Sequence, residues 1–109
     1  MNAQPSIEQR ETRYASGAVH ELYSAYRMDG RGWVRHGDYR AWHENGTPSL
    51  EVGYEHGAEV GISREFHPNG QLAAEGCYEW GEKHGPWRFY SADGALEEEV
   101  VFNCGAEVG

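Results

Sequence analysis

The sequence predicts an all-β protein, an elongated single-layer antiparallel meander of successive β-hairpins. Three observations carry this. Glycines, aromatics and charged residues recur at an interval of 24 residues, the mark of a repeat architecture. Asn-Gly and Asp-Gly pairs fall inside the units, where hairpin turns favour them. The 109 residues hold 13 Val, Ile and Leu against 14 Trp, Tyr and Phe, with 15 glycines. Aromatics fit pleated surfaces and glycines punctuate turns. No stretch keeps an i, i+3, i+4, i+7 apolar stripe, so nothing argues for a long helix.

The elements follow in chain order. Residues 1–13 read as an N-terminal tail or a short helix, since Ser6 and Gln9 have capping-box spacing before Arg10–Tyr14. Residues 14–36 read as a degenerate first repeat. Gly17 holds the turn position, Tyr26 is the late aromatic, and extra residues fall around Asp29 to Trp33. Three regular units follow, 37–60, 61–84 and 85–109. Their columns are Gly37, Gly61, Gly85, Gly109; Gly46, Gly70, Gly94; Gly57, Gly81, Gly105; Trp42, Phe66, Tyr90; Tyr54, Tyr78, Phe102; Arg40, Arg64, Arg88; and Glu51, Glu75, Glu99.

Each unit reads as two strands and two turns. In the middle unit these are Gly61–His67, the turn Pro68–Asn69–Gly70, Gln71–Tyr78, and a second turn over Glu79–His84. The first turn favours a three-residue loop closed by a glycine bulge, with a two-residue type I′ loop as the rival. The three-residue loop sets Trp42 opposite Pro48, Phe66 opposite Leu72 and Tyr90 opposite Leu96, and gathers nearly all apolar columns on one face. The rival sets Arg40 opposite Glu51, Arg64 opposite Glu75 and Arg88 opposite Glu99. Apolar segregation buries more area than any single cross-strand pair contributes, so the first register is preferred.

Charge and composition exclude some functions. A net charge of −9 argues against nucleic acid or an anionic membrane as partner. No apolar run approaches a membrane span, and the N-terminus lacks the layout of a secretory signal. Cys77 and Cys104 are too few for a disulfide scaffold and read as inert free thiols in a reducing compartment, so a cytoplasmic protein is expected.

Tyr78-Glu79-Trp80-Gly81-Glu82-Lys83-His84-Gly85-Pro86-Trp87, followed by Tyr90 and Ala92-Asp93-Gly94, resembles the MORN repeat. It is closer to the shorter variant found in bacterial YwqK-like antitoxin proteins. The frame returns at Tyr54 to Gly70, with Val60 for the histidine and Ser63 for the tryptophan. The resemblance implies a meander of hairpins. It also implies a role as scaffold, peptide groove, membrane-associated module or antitoxin.

The residues themselves favour binding over catalysis. No nucleophile signature, phosphate loop or cofactor motif is present, and no catalytic residue is assigned. His43 and His67 would stand two strands apart, about 9–10 Å, too far to share a metal ion. His36 and His84 read as turn-packing residues. Glu51, Glu75 and Glu99 recur once per unit, which suits an Arg-paired face better than one active site. A single sheet cannot hide both faces, so aromatic surface is expected to stay open for a protein partner. The candidate contacts are Tyr39, Trp42, Phe66, Trp87, Phe89 and Tyr90, with Trp42, Phe66 and Tyr90 also eligible as core. Glu97, Glu98 and Glu99 are candidate steering charges, because residues 41–109 hold thirteen acidic and three basic side chains. The expected partner is another protein, in the antitoxin reading a basic toxin. A scaffold or self-associating homodimer is the alternative.

Overall fold

A computed structural model describes residues 6–108. Nine strands form one sheet in chain order: β1 Glu8–Arg13, β2 Val19–Met28, β3 Gly32–Trp42, β4 Pro48–Glu55, β5 Ala58–Phe66, β6 Leu72–Glu79, β7 Glu82–Tyr90, β8 Leu96–Asn103 and β9 Ala106–Glu107. Every neighbouring pair is antiparallel. The molecule measures 52 × 39 × 17 Å, and the shortest dimension is that of one sheet with its side chains. The meander read from the sequence is therefore the fold.

The N-terminal segment departs from expectation. Residues 8–13 are neither tail nor helix but the edge strand β1, paired to β2 from Glu8↔Ala25 to Arg13↔Val19. Pairing satisfies the backbone along β2 that would otherwise face water. Thr12 Oγ1 donates to Glu21 at 2.9 Å, and the Arg10 guanidinium lies 4.0 Å over the Trp33 ring. The part of that expectation that falls on residues 1–5, like Gly109, lies outside the described residues.

Two kinds of turn alternate. The tips Glu44–Gly46, Pro68–Gly70 and Ala92–Gly94 are three-residue loops. His43 N donates to Thr47 O at 2.8 Å and Gly46 N to His43 O at 2.9 Å, and the other two tips repeat the pattern. Their glycines have φ of +91°, +88° and +94°, a conformation that other residues rarely adopt. At the opposite margin the turns are His56-Gly57, Trp80-Gly81 and Cys104-Gly105. Both residues of each have positive φ, near +49° and then +86° to +90°, the shape of a type I′ turn. The six-residue second turn expected over Glu79–His84 is thus corrected to two residues, with Glu79 paired to Glu82.

Each margin also binds unit to unit. Gly57 N, Gly81 N and Gly105 N donate to Arg35 O, Glu59 O and Lys83 O at 2.8–2.9 Å. On the tip side the Tyr14 hydroxyl donates to Trp42 O at 2.7 Å, while His43 Nε2 and His67 Nε2 bond Phe66 O and Tyr90 O, each at 2.8 Å. Asn45 and Asn69 amides donate to Pro68 O and Ala92 O.

Both candidate registers occur in each tip hairpin. Trp42 faces Pro48, Phe66 faces Leu72 and Tyr90 faces Leu96, as the three-residue loop requires. Arg40 nevertheless faces Glu51, Arg64 faces Glu75 and Arg88 faces Glu99. A one-residue bulge between the two sets reconciles them, with Ser49, Ala73 and Glu97 as the extra residues. A bulge shifts register by one and exchanges the faces beyond it. The expectation of one face holding nearly all apolar columns is therefore corrected. Trp42, Phe66 and Tyr90 share a face with the Arg40, Arg64, Arg88 row, called here the ladder face. Tyr23, Tyr39, Leu50, Val52, Tyr54, Tyr78 and Trp87 share the other, the ring face.

The main core lies on the ring face; between β2 and β3, where consecutive Ala25 and Tyr26 are both buried and Tyr26 pairs with the buried Val34, both faces are covered. Tyr39, Ala41 and Val52 are buried, with Tyr23, Leu50, Tyr54 and Tyr78 packed on them. Further along, Trp87 is 2% exposed. Its Nε1 donates to Cys77 O at 3.0 Å, and the Tyr78 ring meets it edge-on at 5.1 Å. It can lie there because Gly76 has no side chain. A Cβ on Gly76 would stand 2.1 Å from Trp87 Cδ2. One unit earlier the same two positions hold Val52 and the buried Ser63. A large residue thus meets a small one in both units, with the sizes exchanged.

Candidate functional site

The nine sequence-predicted contact residues separate into four groups. Tyr39 and Trp87 are 7% and 2% exposed, so the expectation that they line an open flank is corrected. Both rings are covered by neighbouring strands and by cations of the chain itself. The Arg35 guanidinium lies 4.9 Å from the Tyr23 ring, 4.7 Å from Tyr39 and 5.4 Å from Tyr54. Lys83 Nζ lies 5.0 Å from Trp87 and 5.3 Å from Phe102. Cations over aromatic faces are favourable, and their aliphatic stems shield rings from water. The Tyr39 hydroxyl donates to Glu21. This bond, ahead of one from Thr12 and the charge of Arg35, holds the Glu21 carboxyl below its ordinary pKa against the opposing cost of burial. Burial first, then the Glu21 partner, pushes the Tyr39 hydroxyl above the usual tyrosine range.

Trp42, Phe66 and Tyr90 are half-buried on the ladder face. Their carbonyls receive the rungs from Tyr14, His43 and His67. Trp42 also lines a shallow cavity of about 360 Å³ with Ala18, Val19 and Leu22. This column has a structural duty in every unit.

Phe89, Glu97 and Glu98 come together. They line one open depression of about 330 Å³ on the ring face near the C-terminal end. Two consecutive carboxylates normally point to opposite sides of a strand. Here Phe89 pairs with Glu98 and Tyr90 with Leu96, so Glu97 is the bulged residue and its side chain falls beside that of Glu98. The corresponding pairs in earlier units are Ser49-Leu50 and Ala73-Ala74. The same backbone device therefore presents small or apolar groups twice and a double negative charge once.

Glu99 stands apart on the ladder face. Its Oε2 accepts from Arg88 Nε at 2.7 Å, as Glu75 Oε2 does from Arg64 Nε at 2.6 Å. In these two units the arginine is thus tied to the glutamate opposite it. His36 Nδ1 and His84 Nδ1 accept from the turn amides of His56 and Cys104 at 3.0 and 3.3 Å, which gives both the turn role read from the sequence. Cys77 and Cys104 are free and exposed. Among the described residues no three His, Cys, Asp or Glu side chains gather as a metal site. Among the described residues no helix is long and apolar enough to cross a membrane.

Sequence reasoning missed Trp80. It is 65% exposed at a turn tip with φ of +49°, an outlying conformation for a bulky residue. The available signal was its column, since a type I′ turn prefers Asn, Asp or Gly where Trp80 stands.

Fold and surface together define an open-sheet β-repeat protein built from linked hairpin units. The chain belongs to the MORN repeat variant family, which it matches over residues 35–56, 59–79 and 83–103, more than half its length. No curated protein and no solved structure matches the chain.

Proposed function

We propose that this chain is a non-enzymatic protein-binding module whose partner presents basic side chains to the Phe89–Glu97–Glu98 depression. The observation that carries this is the bulge at Glu97, which sets two carboxylates beside one aromatic ring in a shallow open cavity. An arginine or lysine entering it meets negative charge and a ring face together, the combination already used within the chain at Arg35, which lies over the Tyr23 ring and 3.5 Å from Glu21 Oε2. The acidic surroundings speed encounter with a basic protein. In its finer form the reading is an antitoxin or immunity-type role, the neutralisation of a basic toxin by direct binding. The resemblance to YwqK-like antitoxin proteins supports that form.

The test uses the full chain as bait in an extract of its native host, beside a Phe89→Ala/Glu97→Lys/Glu98→Lys bait of unchanged far-UV circular dichroism. A basic protein held by the first and lost by the second supports the reading. Equal retention by both baits refutes the depression as the interface. An aromatic anchor with its charged neighbours accounts for about 2 kcal/mol or more in such contacts, roughly 30-fold in affinity.

A further inference from the structure

The ladder face carries a row of charges that alternates strand by strand. Arg40 on β3 faces Glu51 on β4, which faces Arg64 on β5, then Glu75 on β6, Arg88 on β7 and Glu99 on β8. Each inner glutamate therefore has an arginine on both sides. Glu99 has one, Arg88, bound at Oε2, which leaves Oε1 for a second donor. On its other side β8 pairs with β9 only at Phe102↔Glu107 and Asn103↔Ala106, with one more bond from Val108 N to Val101 O at 2.8 Å. Among the described residues nothing pairs with that side of Leu96–Glu99.

We propose that the Leu96–Glu99 edge of β8 receives an extended strand of a partner protein, antiparallel to β8, with an arginine opposite Glu99. The chain itself supplies the pattern. β5 lies on β4 with Arg64 opposite Glu51 and Glu65 opposite Leu50, and β7 lies on β6 with Arg88 opposite Glu75 and Phe89 opposite Ala74. β8 repeats β4 and β6, and its edge takes what they take. Strand addition draws its strength from main-chain hydrogen bonds and its selectivity from side chains at alternate positions. Arginine is preferred over lysine because its guanidinium can donate from several nitrogens in one plane, as Arg64 and Arg88 do through Nε.

A second copy of the chain fits the edge poorly. Two β8 strands paired about a two-fold axis would set Glu97, Glu98 and Glu99 against the same three residues, and like charges placed opposite each other destabilise a pair. β1 of another copy, laid in the register of β5, would bring Glu11 to Glu99, because Glu11 holds the row position beside Leu22 and Arg40. This inference concerns main-chain pairing along the strand edge, a different mode of contact from occupancy of the ring-face depression, with Glu97 and Glu98 belonging to both.

The probe is a synthetic peptide with the sequence of residues 62–79, added to the isotope-labelled full chain and followed by amide chemical shifts. The expected result is saturable shifts centred on Leu96–Glu99. Binding should weaken about tenfold when the peptide carries Arg64→Glu, and recover when that peptide meets the Glu99→Arg chain. Because the first reversal is in the peptide, it cannot unfold the protein. Three results overturn the proposal: no shifts at the peptide's solubility limit, shifts centred elsewhere, or charge reversal without effect. Shifts at Leu96–Glu99 that grow with chain concentration alone would assign the edge to a second copy and also overturn it.

Discussion

Replacing Gly76 by alanine adds one methyl group where the Trp87 ring lies against the backbone. Its Cβ would lie 2.1 Å from Trp87 Cδ2, 2.2 Å from Cε2 and 2.5 Å from Cγ. Three ring atoms are struck at once, so the indole must lift as a body. A tryptophan buries roughly 200 Å². Exposing about half of it costs about 2.5 kcal/mol at ~25 cal/mol per Å². Lifting also stretches the 3.0 Å bond from Nε1 to Cys77 O, worth about 1 kcal/mol. Against this, alanine stiffens the unfolded chain by about 0.5–1 kcal/mol, because the φ of Gly76 is not positive. The net loss is about 2.5–3 kcal/mol, or roughly 10–15 °C in melting temperature for a domain of this size. Thermal and urea unfolding followed by tryptophan fluorescence measure it. The sharper variant is Gly76→Val with Trp87→Ser, which reproduces the Val52 and Ser63 pair of the preceding unit. It should recover most of what Gly76→Val alone loses. If Gly76→Ala melts within about 2 °C of the parent, or the pair behaves additively, the size-exchange argument is wrong.

Three further outcomes can be measured. Trp80→Asn removes an exposed ring from a left-handed turn position and should raise the melting temperature by a few degrees, since asparagine accepts that conformation at lower cost; a fall would mean that the ring packs where its 65% exposure gives no sign of it. Asn69→Ala loses the bonds from Gln71 N and to Ala92 O and should cost about 1–2 kcal/mol in urea unfolding. Glu21 has its pKa lowered from 4.5, first by the Tyr39 hydroxyl, so its stabilising contribution is complete above pH 4.5 and is lost as pH falls below that value. Tyr39→Phe should therefore flatten the acid side of the stability curve, and an unchanged slope between pH 5 and about pH 3 would remove Glu21 from the account.

The legible part of the fold was its period. Repeating glycines and Asn-Gly pairs fixed the tips, and those tips gave the three-residue loops. The illegible part was the bulge. Ser49, Ala73 and Glu97 share no residue type, so nothing in their column marks an extra residue. The sequence therefore offered two registers as rivals where the chain uses both, and without the bulge Leu50, Val52, Tyr54 and Tyr78 read as sharing the face of Trp42, Phe66 and Tyr90. β1 was obscured because Glu8–Arg13 is polar throughout and has no apolar alternation to read. Phe89, Glu97 and Glu98 were named for separate reasons, and only the bulge explains their meeting. Tyr39 and Trp87 were read as open because the cations that roof them, Arg35 and Lys83, lie four residues earlier on the same strands, where alternation alone gives no sign of the contact.

Bonds at both margins have a thermodynamic consequence. In a linear array, melting is gradual when each module is stable by itself and abrupt when stability resides in the seams. Here the carbonyls of Trp42, Phe66 and Tyr90 and of Arg35, Glu59 and Lys83 are held by adjacent modules. Detaching one hairpin leaves acceptors of its neighbour without donors, so a partial loss is penalised on the side that remains. The array should behave as a single melting unit, with calorimetric and van't Hoff enthalpies that agree.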